Sequence, residues 1–308
     1  MGTPEFAVVS LTRLLQANYN IVGVVTAPDK PAGRGLQMTE SAVKKFAVAN
    51  SLKILQPEKL KNPEFLKELQ LLKADLQVVV AFRMLPEVVW NMPPLGTINL
   101  HASLLPHYRG AAPINWAIIN GEKETGLTTF KLQHEIDTGN ILLIEKIKIG
   151  DDETAGELHD RMKEIGADLL VKTIDGIVNN TIREITQREL STTNDQRSTN
   201  LKHAPKINTE TCRIVWQKDV GEVFNLIRGL SPHPGAFTYL NEKMIKIFKA
   251  TKEVGDSLLP PGKFETDKKS YLKFACINGY ISIKELQLEG KKKITVDEFL
   301  RGFRFQSA

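Results

Sequence analysis

Three polar residues have types and spacing that could carry out acyl transfer. Asn99 and His101 follow a short run at 97–98 that predicts the end of a strand, and Asp137 stands further along the chain. Residues two apart on a strand point to the same side, so the amide and the imidazole are expected to lie together. An amide can donate to a developing oxyanion, an imidazole can move a proton, and a carboxylate can orient the imidazole. The set is suited to moving an acyl group onto an amine, although an Asn and a His at a strand end can also simply cap a turn.

The segments around these residues predict an α/β fold. The strands are predicted at 21–26, 54–56 and 75–81, and the helices between and before them at 7–16, 41–50 and 63–73. This alternation indicates a doubly wound, mostly parallel sheet, which binds its ligands at the carboxyl ends of the strands. Strands at 125–132 and 141–149 are expected to close the sheet as an antiparallel pair with Asp137 between them. A long amphipathic helix is predicted at 154–178.

The chain changes character after residue 182. A polar run without periodicity at 191–200 predicts a linker, and short alternating strands follow it. These strands are predicted at 236–240, 244–249, 271–277 and 280–286, with a hairpin turn at Asn278-Gly279 and a terminal helix from Thr295. Strands of this length and spacing suggest a small OB-like β-barrel. We therefore predict a catalytic domain at 1–182, a linker at 183–205 and a C-terminal β-barrel domain at 206–308.

The net charge of the chain is concentrated in the predicted C-terminal domain. The whole chain carries a formal charge of +5, and residues 206–308 hold 18 Lys and Arg against 12 Asp and Glu. Residues 1–205 are close to neutral, with 23 basic and 24 acidic side chains. Such asymmetry suggests a polyanionic partner, or else only a basic, well-solvated surface.

Several classes of protein are disfavoured by composition. No stretch approaches the roughly 20 apolar residues of a membrane span, and no signal peptide is recognisable, so neither a membrane partner nor secretion is expected. Cys212 and Cys276 lack metal-ligand spacing, and the histidines are scattered, so no metal site is expected. Two cysteines so placed are typical of reduced thiols, which indicates a cytoplasmic protein.

Short motifs along the chain resemble those of the folate-dependent formyltransferases. They are Asn99-Leu100-His101, Ser103-Leu104-Leu105-Pro106, Arg109-Gly110-Ala111-Ala112-Pro113, Asp137-Thr138-Gly139 and the loop at 28–35. The resemblance implies that the formyl group of 10-formyltetrahydrofolate, acting as co-substrate without a metal, is transferred to methionyl-initiator-tRNA in translation initiation. An enzyme acting on a small amine, such as glycinamide ribonucleotide or an amino sugar, would share Asn99, His101 and Asp137 and is the alternative.

The same resemblance implies roles for individual residues. Asn99 and His101 would stabilise an oxyanion, and Asp137 would orient His101 or relay the proton lost by the amine. The folate would be contacted by Ser103, Leu104, Leu105, Pro106, Phe82 and Arg83. The tRNA would be contacted by Lys30, Arg34, Lys291, Lys292 and Lys293. The plainer interpretations are an ordinary turn with a buried leucine pair at 103–106 and solvated charges at the basic positions.

The first residues resemble a turn that normally follows a strand. Gly2-Thr3-Pro4 matches the turn after the first strand of nucleotide-type α/β folds, yet no strand precedes it in this sequence. A missing central strand would leave backbone groups of its two neighbours unpaired, which is costly in a buried sheet. We therefore expect the natural protein to start upstream of Met1. Separately, we expect the protein to be a monomer.

Overall fold

Two units make up the residues that the computed structural model describes, which are 1–32, 37–189 and 201–303. The first unit comprises Met1–Arg109, Gly126–Ile147 and Asp160–Lys202. The second comprises Gly110–Thr125, Lys148–His159 and His203–Ala308.

The helices and strands predicted up to residue 178 are present in the predicted order, and four short elements, at 30–32, 37–39, 87–90 and 109–110, are additional. The helices are α1 (Glu5–Gln16), α2 (Ala42–Ala49), α3 (Pro63–Leu71), α4 (Glu87–Trp90), α5 (Pro113–Ile119) and α6 (Ala155–Val178). The strands are β1 (Val24–Val25), β2 (Lys30–Ala32), β3 (Gln37–Thr39), β4 (Ile54–Leu55), β5 (Gln77–Val80), β6 (Thr97–His101), β7 (Arg109–Gly110), β8 (Glu124–Lys131) and β9 (Ile141–Lys148). The helix starts follow local chemistry, since Ser41 caps α2 and Asn62 caps α3 with Pro63 in its first turn.

The sheets of this part are mixed in direction. The order of the main sheet is β5-β6-β8-β9, in which β5 and β6 are parallel whereas β6 and β8 are antiparallel. Strands β1 and β4 form a separate parallel pair. The predicted α/β class is confirmed, with mixed rather than mostly parallel strands.

Met1 and Gly2 lie between β1 and β5. The backbone N–H of Gly2 donates to Val25 O at 3.0 Å, and that of Val80 donates to Met1 O at 2.9 Å. The Met1 ammonium donates to Val78 O at 2.6 Å, and burial lowers its pKa to about 5. These two residues thus take part in parallel pairing, and the strand expected before them stays a prediction.

The segment at 28–35 was predicted to be a loop, and part of it is a strand. Strands β2 and β3 pair as an antiparallel hairpin in which Lys30 lies opposite Thr39. Asp29, at its base, accepts hydrogen bonds from the Lys44 ammonium and, at 2.9 Å, from the Gln56 amide. Lys44 holds the pKa of Asp29 below its usual range. The loop prediction was wrong here because proline and glycine content does not reveal pairing between short flanking strands.

Helix α6 covers one face of the main sheet. Its buried side chains include Met162, Leu170 and Ile174, and each such side chain contributes about 1.5–3 kcal/mol by leaving water. A Cβ at Gly166 would lie 3.0 Å from Leu100 Cδ2, so the helix approaches β6 closely. Within the described ranges, even this 24-residue helix is not apolar enough to cross a membrane.

The rest of the chain is mainly an antiparallel sheet with short helices. The helices are α7 (Thr209–Cys212), α8 (Val220–Gly229) and α9 (Val296–Gly302). The strands are β10 (His203–Ala204), β11 (Ala236–Leu240), β12 (Lys243–Val254), β13 (Phe264–Thr266), β14 (Leu272–Cys276), β15 (Gly279–Leu288) and β16 (Lys293–Thr295). The sheet order is β11-β12-β15-β14-β13, with β16 also paired to β15. The predicted hairpin is present between β14 and β15, but its loop residues are Ile277 and Asn278, since Gly279, at φ +152°, pairs with Cys276 and begins β15.

This second sheet has its own hydrophobic core. Buried side chains from α8 and α9, including Phe224 and Phe299, join those of the strands in one cluster. The Trp216 and Phe274 rings stack at 4.6 Å between centroids. Thr295 caps α9 in a capping box with Glu298, at the residue where the terminal helix was expected to begin.

Candidate functional site

Strand β6 presents Asn99 and His101 on one face because its apolar residues occupy the other. Ile98 and Leu100 are 0% and 4% exposed, and they alternate with the two polar residues. The strand lies between β5 and β8, with Asn99 opposite both Val79 and Phe130. His101 is the last residue of β6, at the carboxyl edge that the sequence predicted.

Both nitrogens of the His101 ring face groups of the protein. Nε2 lies 2.9 Å from Tyr108 O, and because a carbonyl oxygen only accepts, Nε2 must carry the hydrogen. Nδ1 lies 3.9 Å from Asp137 Oδ2, which is within ion-pair range but longer than a hydrogen bond. The carboxylate therefore faces the imidazole across a short gap. Such contacts often shorten only when substrate is bound.

The Asp137 side chain is held in a tight turn between β8 and β9. Asp137 is 8% exposed and has φ +54°, a conformation uncommon for residues other than glycine. Two residues on, a Cβ added to Gly139 would lie 1.6 Å from Lys131 O. The Asp-Thr-Gly motif thus combines a carboxylate with a glycine, whose lack of a side chain allows the backbone at 139 to pack against the end of β8.

Gly139→Ala is expected to lower the free energy of unfolding by about 3 kcal/mol, because overpacking a close backbone contact forces the chain to shift. The shift would displace Asp137 as well and reduce turnover. Chemical denaturation measures the first effect and a rate assay the second. Gly302→Ala is the control, since a Cβ there meets nothing within 4 Å. Wild-type stability in Gly139→Ala would contradict the steric argument.

The Asn99 amide, unlike the His101 imidazole, is not held by the surrounding described residues. Asn99 is half-buried, and its side chain has no hydrogen-bond partner among the residues that the structure describes. An amide without such a partner on the face of a site is available to a ligand.

The turn at 103–106 is closely bonded to the protein. Ser103 is fully buried, and its Oγ donates to His107 O at 2.7 Å. Thr128 Oγ1 donates to Ser103 O at 2.6 Å. Leu105 packs in a cluster with Phe130, whereas Leu104 is only partly buried. The Ser103 and Leu105 side chains therefore have structural partners, and Pro106 is also buried.

Phe82 and Arg83 follow β5 at the same sheet edge as His101. Val80 pairs in parallel with Leu100, so the two strands end side by side. The Arg83 guanidinium donates to Glu58 O at 2.8 Å and to Pro57 O, and it lies 5.6 Å from the Phe82 ring centroid. Arg83 thus links this loop to the loop at 57–58.

The basic residues expected to contact RNA differ in their surroundings. Lys30 is exposed on β2, and Arg34 lies outside the described residues. Lys291 and Lys292 are exposed, whereas Lys293 forms an ion pair with Glu285 at 2.7 Å. An exposed ion pair of this kind is weak and leaves the lysine able to exchange partners.

The sequence analysis missed Gln187, which it assigned to the linker. The Gln187 amide donates to Asp137 O at 2.8 Å and accepts from Arg109 Nε at 3.2 Å. Arg109, which had been given no catalytic role, is therefore joined to the Asp137 turn. A single Gln in a polar segment has no local pattern that could have revealed this contact.

Comparison with known proteins extends over both units. Residues 1–174 match the family model described as formyl transferase, and residues 206–304 match the formyl transferase C-terminal domain. The chain belongs to the formyl transferase family. It is 51% identical to the methionyl-tRNA formyltransferase of Bacteroides thetaiotaomicron, covering 99% of this chain and 94% of that protein. It is 50% identical to the protein of that name from Flavobacterium johnsoniae, covering 99% and 95%.

Solved structures share the fold of this formyl transferase. An N-formyltransferase from Helicobacter canadensis, in complex with folinic acid and dTDP-3-aminofucose, aligns with a TM-score of 0.64 at 22% identity, covering 95% of this chain and 97% of that chain. HypX from Aquifex aeolicus, in complex with tetrahydrofolic acid, aligns with a TM-score of 0.59 at 19% identity. That alignment covers 84% of this chain and 45% of HypX.

Proposed function

We propose that this chain transfers the formyl group of 10-formyltetrahydrofolate to the amino group of methionyl-initiator-tRNA. The products are formylmethionyl-tRNA, used in translation initiation, and tetrahydrofolate. The observation that carries the proposal is the identity of about half of all positions, along nearly the whole chain, to proteins named methionyl-tRNA formyltransferase. The chemistry of Asn99, His101 and Asp137 agrees with it.

The reaction exchanges one carbon–nitrogen bond for another. The neutral methionyl amine attacks the formyl carbon, a new C–N bond forms, and the formyl oxygen becomes an oxyanion. When the bond from carbon to the folate N10 breaks, the electron pair stays on N10, which takes a proton. The proton that the amine loses balances the one that N10 gains, so no oxidant or reductant is needed.

Asn99, His101 and Asp137 each have a defined part in this reaction. The Asn99 amide, which has no partner among the described side chains, donates to the oxyanion. His101 has its Nε2–H committed to Tyr108, so a second proton on Nδ1 makes it a cation beside Asp137. That cation stabilises the oxyanion electrostatically. Asp137 orients His101 or accepts the proton from the amine.

The folate is proposed to bind at the carboxyl edge of the sheet. Phe82 and Arg83 after β5, and the turn Ser103–Pro106 after β6, are adjacent there because the two strands are parallel and in register. Ser103, Leu105 and Pro106 are buried and shape the turn from inside, which leaves contact to the partly buried Leu104 and to backbone groups. Proteins of this fold in complex with folinic acid and tetrahydrofolic acid support the choice of ligand.

The C-terminal domain, 206–308, is proposed to be an OB-type barrel that binds the tRNA, after a catalytic domain at 1–182 and a linker at 183–205. Its antiparallel sheet and its excess of basic residues support this. Lys30, Arg34 and Lys291 to Lys293 are proposed to contact phosphates. The protein is proposed to act as a monomer in the cytoplasm.

The test is a formyl-transfer assay with four acceptors: methionyl-initiator-tRNA, glycinamide ribonucleotide, a dTDP-linked amino sugar and water. Each is offered with 10-formyltetrahydrofolate. Transfer to the charged tRNA alone is the expected result. Transfer to a small amine alone would overturn the proposal in favour of the alternative substrate class. Formate release with water as the only acceptor would identify a hydrolase instead.

A further inference from the structure

Gln187 bridges both sides of the turn that carries Asp137. Its side chain is buried, with the residue only 5% exposed. Nε2 donates to Asp137 O at 2.8 Å and to Gly139 O at 3.0 Å. The two hydrogens of one amide group thus hold the main chain on each side of Thr138.

The other end of the same amide is bound to Arg109. Oε1 accepts from Arg109 Nε at 3.2 Å and from a second guanidinium nitrogen at 2.5 Å. A guanidinium only donates and a carbonyl only accepts, so the oxygen of Gln187 must face Arg109 and its nitrogen must face the turn. The amide therefore has one permitted orientation.

Arg109 adjoins the residue that holds His101. The carbonyl of Tyr108 accepts from His101 Nε2 at 2.9 Å, and Tyr108 N–H donates to Lys202 O at 2.6 Å. Bonds therefore run from His101 through 108–109 and Gln187 to the Asp137 backbone. The two ends of this chain of bonds face each other, with His101 Nδ1 lying 3.9 Å from Asp137 Oδ2.

We propose that Gln187 is a positioning residue for formyl transfer, which sets the distance between His101 and Asp137 by tying the Asp137 turn to Arg109. The inference rests on the proposed function of that pair. Asp137 has a positive φ, which is uncommon outside glycine, and two of the hydrogen bonds that hold its turn come from Gln187. A shift of about 1 Å in a catalytic group can cost about 10²-fold in rate.

The test replaces Gln187 by Met, which has similar length but no hydrogen-bonding groups. The kcat of Gln187→Met is expected to fall between about 10-fold and 10²-fold, with KM for either substrate changed less than about threefold. The pH profile of kcat is expected to move as well, because the spacing of two ionisable groups changes. Gln70→Met, at an exposed position on α3, is the control.

A second substitution tests the hydrogen-bond connection between Gln187 and Arg109. Arg109→Met should lower kcat, and the Gln187→Met/Arg109→Met double variant should be no slower than the worse single variant, because both changes break one connection. Effects that multiply independently would overturn the inference. So would a Gln187→Met enzyme with wild-type kcat and pH profile.

Folding and function are separated by further comparisons. If Gln187→Met does not fold, the kinetic comparison uses Gln187→Glu, which still accepts from Arg109 but repels both carbonyls. Failure of both variants to fold would overturn the inference in favour of a role in stability alone. Absence of formyl transfer in the wild type with every acceptor would instead refute the proposed function.

Discussion

Replacing His101 by Ala is expected to lower turnover about 10²–10³-fold, the usual cost of removing one group that stabilises an oxyanion. The ring lies between Tyr108 O and Asp137, so Ala removes both the Nε2–H donor to Tyr108 O and the Nδ1 atom that faces Asp137. The Tyr108 carbonyl loses a partner in a buried site, which costs about 1–3 kcal/mol of stability. The protein should still fold, because the core side chains of β6 are untouched.

The measurement is single-turnover formyl transfer to charged tRNA, with thermal unfolding of the same samples. His134→Ala is the control, because that imidazole is 76% exposed and pairs with Glu87 at 3.4 Å. It should keep wild-type turnover. Full activity in His101→Ala would show that the assignment is wrong.

Asn99→Ala is expected to cause a loss of similar size, about 10²–10³-fold in kcat, with a smaller change in stability. The reason is that the Asn99 amide bonds to no other described side chain or backbone group, so its removal leaves no protein group unpaired. Its contribution should be realised only when the oxyanion forms. KM for 10-formyltetrahydrofolate should therefore change little.

Asn99→Asp gives the sharper comparison, since it keeps the shape and replaces the donor with a negative charge. It should be at least as slow as Asn99→Ala at neutral pH. Asn179→Ala, at an exposed position after α6, serves as the control for the assay. Activity close to wild type in Asn99→Asp would exclude donation by this side chain.

Much of the local structure could be predicted from the sequence because it depends on neighbouring residues. Helices α2 and α3 begin next to their capping residues, and the 24-residue α6 follows a helical apolar spacing. The alternation of apolar and polar residues in β6 is enough to place Asn99 and His101 on one face of the strand. The dipeptide Asn278-Gly279 likewise predicted the hairpin between β14 and β15, although the turn itself lies one residue earlier, at 277–278.

Strand direction and the pairing of β2 with β3 were less predictable. The antiparallel position of β8 beside β6 depends on how a remote segment returns to the sheet, and the β2–β3 hairpin depends on pairing across a glycine-rich stretch. Neither is encoded by periodicity. Periodicity reports which face is apolar, and both directions of pairing satisfy it.

The sequence by itself determined the chemical groups, the strand that carries two of them and the family motifs. The tertiary structure decided the geometry: the 3.9 Å between His101 and Asp137, and the amide of Gln187 that joins the Asp137 turn to Arg109. Gln187 is 50 residues from Asp137 and 78 from Arg109 along the chain. Such contacts form only when distant segments fold against each other and must pair their buried polar groups. No local sequence pattern therefore predicts them.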